Sequence, residues 1–472
     1  MKIFKFKSYF AIATITILST TVSCERGFSD EIAVAKYPLT PEVFTDFPVG
    51  LTDAFFVSFD PAEGANVNGF GIDERDAYRG NTSIRIEVPA PNDPDGNYIG
   101  GIFLDRGNGR DLTAYDALTF WAKGSTTAEV GLLGFGTNFQ GDIYAANLSD
   151  VTLSTAWKQY TIPFPDASKL VQEKGMFAFA AGTQSTDGLG YSIWIDEIRF
   201  EKLGNIAQPR PYIYNGVNDT ITTFNSVEMN ASDLGITFNL GNGSDLNVNA
   251  GAGYFVFESS DPAVAKVSDN GNITILSKGT AKITASQNGI EAKGSMTINS
   301  LGDFELAPTP TQAASDVISI FSDTYENVNI KFYNGYWQPW QTTTSADFTV
   351  QGNEVLNYEN FNFVGQQFDN PTLDTTSMTH LHLDVYVPGE FPAGAKLKIT
   401  IKDFGPDGID TASDDITQEY TIDTADLAAN AWSSVDIPLT LSPRTKVGQF
   451  IFTNDGSNLT NFYLDNVYFY KQ

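Results

Sequence analysis

The sequence predicts an all-β protein assembled from β-sandwiches, on three observations. Short runs such as Ser83-Ile84-Arg85-Ile86-Glu87-Val88 alternate apolar and polar residues between clusters of Gly, Asn, Asp and Pro, which is the period-two signature of a strand with one buried face. No segment sustains a helical apolar period, and the strand runs recur at the short, even spacing of sandwiches. The third observation is an internal repeat. Trp157 in AWKQYTIPF returns as Trp432 in AWSSVDIPL, Asp196 in IWIDEIRFEK as Asp465 in FYLDNVYFYK, and Gly80-Asn81 as Gly352-Asn353. Asp53 (TDAFF) and Asp323 (SDTYE) form a fourth pair at nearly the same spacing. Two related domains therefore flank an unrelated segment.

At 472 residues the chain has room for about three domains. Lys and Arg total 28 against 57 Asp and Glu, a formal charge of −29, which argues against binding to nucleic acid or anionic lipid headgroups. Aromatics at 13% and hydrophobics at 42% exclude a disordered acidic tail. A single cysteine excludes an internal disulfide framework, a CxxC redox site and a cysteine zinc cluster, and two histidines leave little room for a His-based metal centre.

Along the chain, residues 1–23 read as a secretion signal: Lys2, Lys5 and Lys7 precede the apolar stretch Tyr9 to Val22, too short and too threonine-rich to span a bilayer. That stretch runs into the lone Cys24. Thr21-Val22-Ser23-Cys24 resembles the lipobox of bacterial lipoproteins, without the usual leucine, and the resemblance implies acylation of Cys24. The alternative is an ordinary cleaved signal with an incidental cysteine. The acidic residues after Cys24, in a 24–40 linker, resemble surface-export signals of Bacteroidota lipoproteins, which implies an outer-membrane protein facing outward. Repeat-related sandwiches are expected at 41–203 and 311–472, a distinct segment at 204–300, and a short Pro-stiffened linker at 301–310.

Within the middle segment, FESSDPAVAKV, Asp269-Asn270-Gly271 and GTAKITA closely resemble the bacterial group 2 Ig-like domain, which implies a spacer. Asn270-Gly271 is also a hairpin turn on physical grounds. GRDLTAYDALTFWAKG (109–124) and WIDEIRFEK resemble jelly-roll carbohydrate-binding modules of bacterial glycanases. VISIFSDTYENV, GYWQPW, MTHLHLDVYVP, KDFGPDG and FYLDNVYFYK resemble, from end to end, the module found in marine Bacteroidota laminarinases and in lipoproteins encoded beside glycan transporters. The fold class implied is two jelly-roll sandwiches flanking an Ig-like sandwich. The resemblance further implies a surface glycan-binding lipoprotein, in the SusE-like position of a laminarin or β-glucan utilisation system, with a transporter and surface glycanases as partners and no nucleic acid.

The residues themselves agree with sugar chemistry. An aromatic ring covers the C–H face of a sugar, and flanking polar groups meet its hydroxyls. Tyr333, Tyr336, Trp337 and Trp340 crowd around Gly335 and Pro339, either as a sugar platform or as a loop packed over the sandwich. In THLHLDVYV the alternation places His380, His382, Asp384 and Tyr386 on one face. That face is the floor of a groove, a metal triad, or a plain solvated surface. Trp121 aligns with Asp384 and is a candidate platform in the first sandwich, with Tyr98 and Tyr144 beside it. Trp157 and Trp432 recur in both copies and are expected in the core. Asp196 and Asp465 sit mid-strand among apolar residues, where a lone carboxylate is costly unless paired. The fold resemblance implies a structural Ca²⁺ there, with Asp53 and Asp323 as further oxygen ligands, or else an exposed strand end.

No glycosidase carboxylate motif, nucleophile elbow, His-Glu-x-x-His or phosphate loop is present, and no enzyme is expected. The expected ligand is β-1,3-glucan (laminarin), then mixed-linkage or another β-glucan. The rival from another class is a surface adhesin that binds protein. A monomer is expected.

Overall fold

The computed structural model describes residues 37–472 apart from Gln140, Gln351 and Ala412. The signal segment, Cys24 and most of the 24–40 linker lie outside the described residues. Among the described residues there is no α-helix, only strands and short 3₁₀ turns. The protein is all-β, as the alternation predicts.

The first sandwich has two sheets. One, here the terminal sheet, runs Phe70–Asp73, Ser83–Val88, Tyr191–Glu201, Ala117–Gly124, Lys158–Pro163, with Glu42–Phe44 also paired to Tyr191–Glu201. The other, the medial sheet, runs Leu51–Ser58, Ile99–Asp105, Gly175–Ala181, Glu129–Phe135, Ala146–Thr152. The last sandwich repeats the plan. Its terminal sheet runs Asp347–Val350, Asn353–Tyr358, Phe462–Tyr470, His380–Tyr386, Trp432–Pro438, with Val317–Phe321 on Phe462–Tyr470. Its medial sheet runs Phe363–Gln367, Val447–Thr453, Lys396–Asp403, Ile416–Asp423. Among the described strands only Leu51–Ser58 lacks a counterpart. Inward residues of facing sheets, such as Phe103, Phe120 and Phe177, or Leu383, Ile399 and Phe450, are completely buried, and this apolar burial is the main stabilising term.

The middle segment contributes a five-stranded and a three-stranded sheet of its own. Ala265–Val267 pairs with Asn272–Ile275 across the expected turn, with Gly271 at φ +76°. The segment is no free spacer. Three of its strands, Ala207–Tyr212, Gly235–Asn239 and Asp245–Ala250, extend the first medial sheet to eight strands, through Asn249↔Asn147 and Ala250↔Ala146. Its other end locks onto the last sandwich. Phe304, inside the expected linker, sits 4.6 Å from the Phe224 ring, 5.5 Å from Tyr386 and 5.8 Å from both Trp432 and Tyr463. The Glu305 carbonyl accepts from Trp432 Nε1 at 2.6 Å and the Pro308 carbonyl from Asn466 Nδ2 at 3.0 Å. The linker is thus held on both sides.

This junction yields the first prediction. Phe304→Ala leaves an aromatic-sized void and is expected to cost about 3–5 kcal/mol, read as a lowered denaturant midpoint. A loss under about 1 kcal/mol would mean the junction is not packed as described.

Candidate functional site

The loop between Val317–Phe321 and Asp347–Val350 shows how the sequence builds a ring platform. Asn334 and Gln341 are buried, and Gln341 Nε2 donates to Asn334 Oδ1 at 2.6 Å and to the Thr343 carbonyl at 3.1 Å. The Asn334 and Gln341 side-chain oxygens in turn accept the backbone N–H groups of Tyr336 and Trp337. The loop is therefore tied from within. It lays the half-buried Trp337 indole onto Gly365, where any Cβ would run into the six-membered ring, with Phe363 at 6.2 Å and Phe332 edge-on at 6.4 Å. Trp340 and Tyr336 stay exposed, at 74% and 54%.

Trp337 borders the outer face of the last medial sheet. Alternation puts Gly365, Ile451, Thr400 and Glu419 in one row across the strands, and Phe363, Thr453, Lys398 and Thr421 in the next. A polar row walls this floor. Gln367 Nε2 donates to Asp369, Gln449 Nε2 reaches Gln367 Oε1 and Asp410 Oδ2 at 3.3 Å, and Lys402 pairs with Asp410 at 2.5 Å and Asp415 at 2.7 Å. Burial disfavours the Lys402 charge, but the two aspartates outweigh it and lift its pKa above the usual lysine value. A ring, a shallow floor of threonine and isoleucine, and a fixed amide-and-charge wall together match the C–H face and hydroxyl rim of a sugar.

The matching face of the first sandwich is built differently. Its outer row holds Gly100, Ala180 and Leu132. Tyr98, one step before this strand, lines a depression there with Gly131, Ala180, Asp150 and Gln184. The Phe59 ring closes over Gly100 and contacts Phe139 at 5.8 Å.

Several expected site residues lie elsewhere. Tyr333 faces the core: its hydroxyl donates to the Ile320 carbonyl at 2.9 Å, and burial pushes it up to about 12. Asp384 and Tyr386 are buried, at 1% and 4%. Asp384 accepts from Ser434 and Asn466 side chains, and Tyr386 joins the Phe304 junction. No open groove floor remains on that strand. His382 is largely covered, stacked on Tyr468, 2.8 Å from Asp436 and 3.5 Å from Asp384. Burial opposes its charge, yet the hydrogen bonds to Asp384 and Asp436 raise its pKa.

In the first sandwich Trp121 has one face covered by Tyr78, parallel at 3.8 Å. Tyr144 packs on Tyr254 of the middle segment at 5.5 Å. Neither Trp157 nor Trp432 is in a sandwich core. Both are half-buried on the outer face of a terminal sheet, Trp157 over Lys123 and Trp432 at the junction. Sequence reasoning missed Gly365, Gln367, Gln449 and Lys402. The alternation in KLKITIKD carried the Lys402 signal, whereas the covering of Gly365 by a ring leaves none.

The calcium expectation meets two different environments. Asp196 is fully buried, but its carboxylate accepts the N–H groups of Tyr78, Arg79 and Glu197 at 2.9, 3.0 and 2.7 Å. Those donors occupy the positions a cation would need. Asp53 is exposed and paired with Arg106. The residue that holds the Gly80-Asn81 turn as Asp323 holds Glu354 is Asp46, not Asp53. A cation does not fit the first sandwich. In the last one, burial, then Asp323 and Asp384, push Asp465 up to about 7. Neither Asp323 nor Asp465 has a lysine or arginine partner among the described residues. Charge there fits a cation, although no group of three or more His, Cys, Asp or Glu suited to a metal occurs among the described residues.

Comparison with known proteins gives two family matches. Residues 56–202 match carbohydrate binding domain 30, and residues 245–298 match the bacterial Ig-like domain (group 2). Among curated proteins, none matches the chain. Solved structures similar to parts of the chain include the family 30 carbohydrate-binding module of cellulosomal cellulase Cel9D-Cel44B of Clostridium thermocellum, at 20% identity, covering 35% of this chain and 98% of that one, TM-score 0.26. A family 11 module from Clostridium thermocellum, in complex with a β-1,3-1,4-mixed-linked tetrasaccharide, is 14% identical over 34% of this chain and 98% of its own, TM-score 0.23. The tandem CBM22 domain of Paenibacillus barcinonensis Xyn10C is 10% identical, covering 93% and 100%, TM-score 0.23. The family matches support a carbohydrate-binding protein with an Ig-like domain.

Asp465 gives the second prediction. A carboxyl raised in the folded state contributes stability that is complete below about pH 4, the unfolded value, and is lost as pH rises through about 7. With divalent cations chelated, wild type should therefore lose more stability than Asp465→Asn between pH 5 and pH 8 in urea titrations. Equal losses would mean Asp465 is ionised throughout.

Proposed function

We propose that the chain is a non-catalytic glycan-capture protein for β-1,3-glucan such as laminarin, using the outer faces of its medial sheets. The observation that carries this reading is the Trp337 ring fixed on Gly365 beside the Gln367–Gln449–Lys402 row, on a sandwich whose strand order repeats that of the segment matched to carbohydrate binding domain 30. A formal charge of −29 favours a neutral glucan over an anionic one, since like charges repel. Two faces on one chain raise avidity for a polymer without new contacts. In this reading Cys24 is lipidated, the chain stands on the outer face of the outer membrane, and a glycan transporter and surface glycanases act beside it. A Ca²⁺ ion, where bound, is held by Asp323 and Asp465 and is structural.

A second reading, protein adhesion, has one observation in its favour. Trp157, Lys123 and Trp194 of the first terminal sheet occupy the positions that Trp432, Tyr386 and Tyr463 hold in the last, by strand register. In the last sandwich that triad seats Phe304. In the first it stays half-exposed beside Tyr78.

Isothermal titration separates the readings. The chain lacking residues 1–24 should bind laminarin, and alginate weakly or not at all. Trp337→Ala should weaken laminarin binding about tenfold or more, since ring–sugar contact of this kind is worth one to a few kcal/mol. Absence of binding to laminarin and to mixed-linkage glucan would sink the glucan assignment and leave adhesion as the working reading.

A further inference from the structure

The first medial sheet does not end at its own edge strand, and the side chains on its outer face do not end there either. Ala146–Thr152 is paired on its free edge with Asp245–Ala250 of the Ig-like segment, and that strand with Gly235–Asn239 and then Ala207–Tyr212. Residues opposite one another on paired strands share a face. One row therefore runs Ala178, Gly134, Asn147, Asn249, Gly235, Tyr212.

The amides of this row are joined across the boundary. Asn249 Nδ2 donates to Asn147 Oδ1 at 3.1 Å and to Ser149 Oγ at 2.8 Å. Next to it, Thr237 Oγ1 donates to Asn247 Oδ1 at 2.6 Å. Five neutral amide and hydroxyl side chains are thus held in fixed orientation, and Ser149 and Asn247 stay exposed. At the far end the Tyr212 phenol lies over Gly235, where a Cβ would strike it. Tyr212, Thr237 and Asn247 line one depression there with Arg210, Asn215 and Lys293. A ring seated on a strand glycine beside a row of linked amides is the arrangement already described for Trp337, Gly365, Gln367 and Gln449.

We infer that the saccharide-binding face of the first sandwich continues onto the Ig-like segment, where Asn247, Asn249, Thr237 and Tyr212 form a further subsite for an extended, neutral polysaccharide chain. The inference rests on the reading of the medial faces as saccharide sites. From Leu51–Ser58 to Gly235–Asn239 the seven strands span about 29 Å at ~4.8 Å per strand, against about 19 Å for the five strands of the first sandwich alone. The amides supply paired donors and acceptors for hydroxyls, and the tyrosine supplies the C–H contact. The subsite therefore selects by length: a short oligosaccharide is satisfied by the first sandwich, and a long chain reaches the Ig-like strands.

The test uses the chain lacking residues 1–24 with Trp337→Ala, so that residual binding reports the first face. To this background Tyr212→Ala is added, or, as a milder change, Thr237→Ala with Asn247→Ala. Each variant is titrated with laminarin polymer and with a laminari-tetraose. The expected result is polymer affinity reduced about tenfold, two lost hydrogen bonds or one lost ring contact, with tetraose affinity within about twofold. Unchanged polymer affinity in the Thr237→Ala, Asn247→Ala variant overturns the inference while leaving glucan capture in place. Loss of all binding in the Trp337→Ala background also overturns it, because the first face then binds nothing. A wild-type chain that binds neither ligand removes the reading on which it rests.

Discussion

The satisfaction of sheet edges organises this protein. An open edge strand presents unpaired N–H and C=O groups and must be covered, twisted away or paired. The first medial sheet solves the problem by pairing Ala146–Thr152 with a strand of the next segment. Once that ladder forms, the Ig-like segment is fixed to the first sandwich by backbone hydrogen bonds rather than by a flexible tether. Its core and that of the first sandwich merge, with Tyr254 and Ile236 in one apolar cluster with Phe135 and Phe200. The other end is fixed by Phe304. The two sandwiches are then held by a bracket, which sets where each outer face stands relative to the other.

The repeat shows how one strand plan serves two environments. In both copies the terminal sheet carries bulky rings on its outside, and the medial sheet carries small or threonine-rich rows. In the last sandwich Tyr386, Trp432 and Tyr463 on the outside of the terminal sheet pack against Phe304, so they are lost to any ligand. That leaves the medial face, with Trp337 lying on Gly365, as the accessible combination of ring and polar wall. Small residues matter there because only a strand without side-chain bulk lets an aromatic ring lie flat on the backbone.

Much of the fold was legible in the sequence. Alternation, the Asn270-Gly271 turn and the repeat around Trp157 and Trp432 pointed to sandwiches with a segment between them. The site was legible only in part. GYWQPW announced its rings by crowding, and the structure leaves Tyr336 and Trp340 exposed with Trp337 on the medial face. The stripe of His382, Asp384 and Tyr386 misled because alternation reports which residues leave the core of their own sandwich. It does not report what covers the outside: here Phe304 and Phe224 cover Tyr386, and Tyr468 covers His382. Asp196 misled for a related reason. Its burial is visible in the sequence, but two of the three backbone N–H groups that satisfy it come from a loop more than a hundred residues earlier. The eight-stranded sheet was invisible because edge pairing between segments leaves no periodic signal.

The central claim is that glucan lies on the medial faces and not on the ring-bearing terminal faces. Hydroxyl-radical footprinting of the chain lacking residues 1–24, with and without laminarin, reads this side chain by side chain. The account predicts that laminarin shields Trp337, Phe363 and Tyr98 and leaves Trp157, Trp194 and His382 as reactive as before. Shielding confined to Trp157 and Trp194, with Trp337 unprotected, would contradict it.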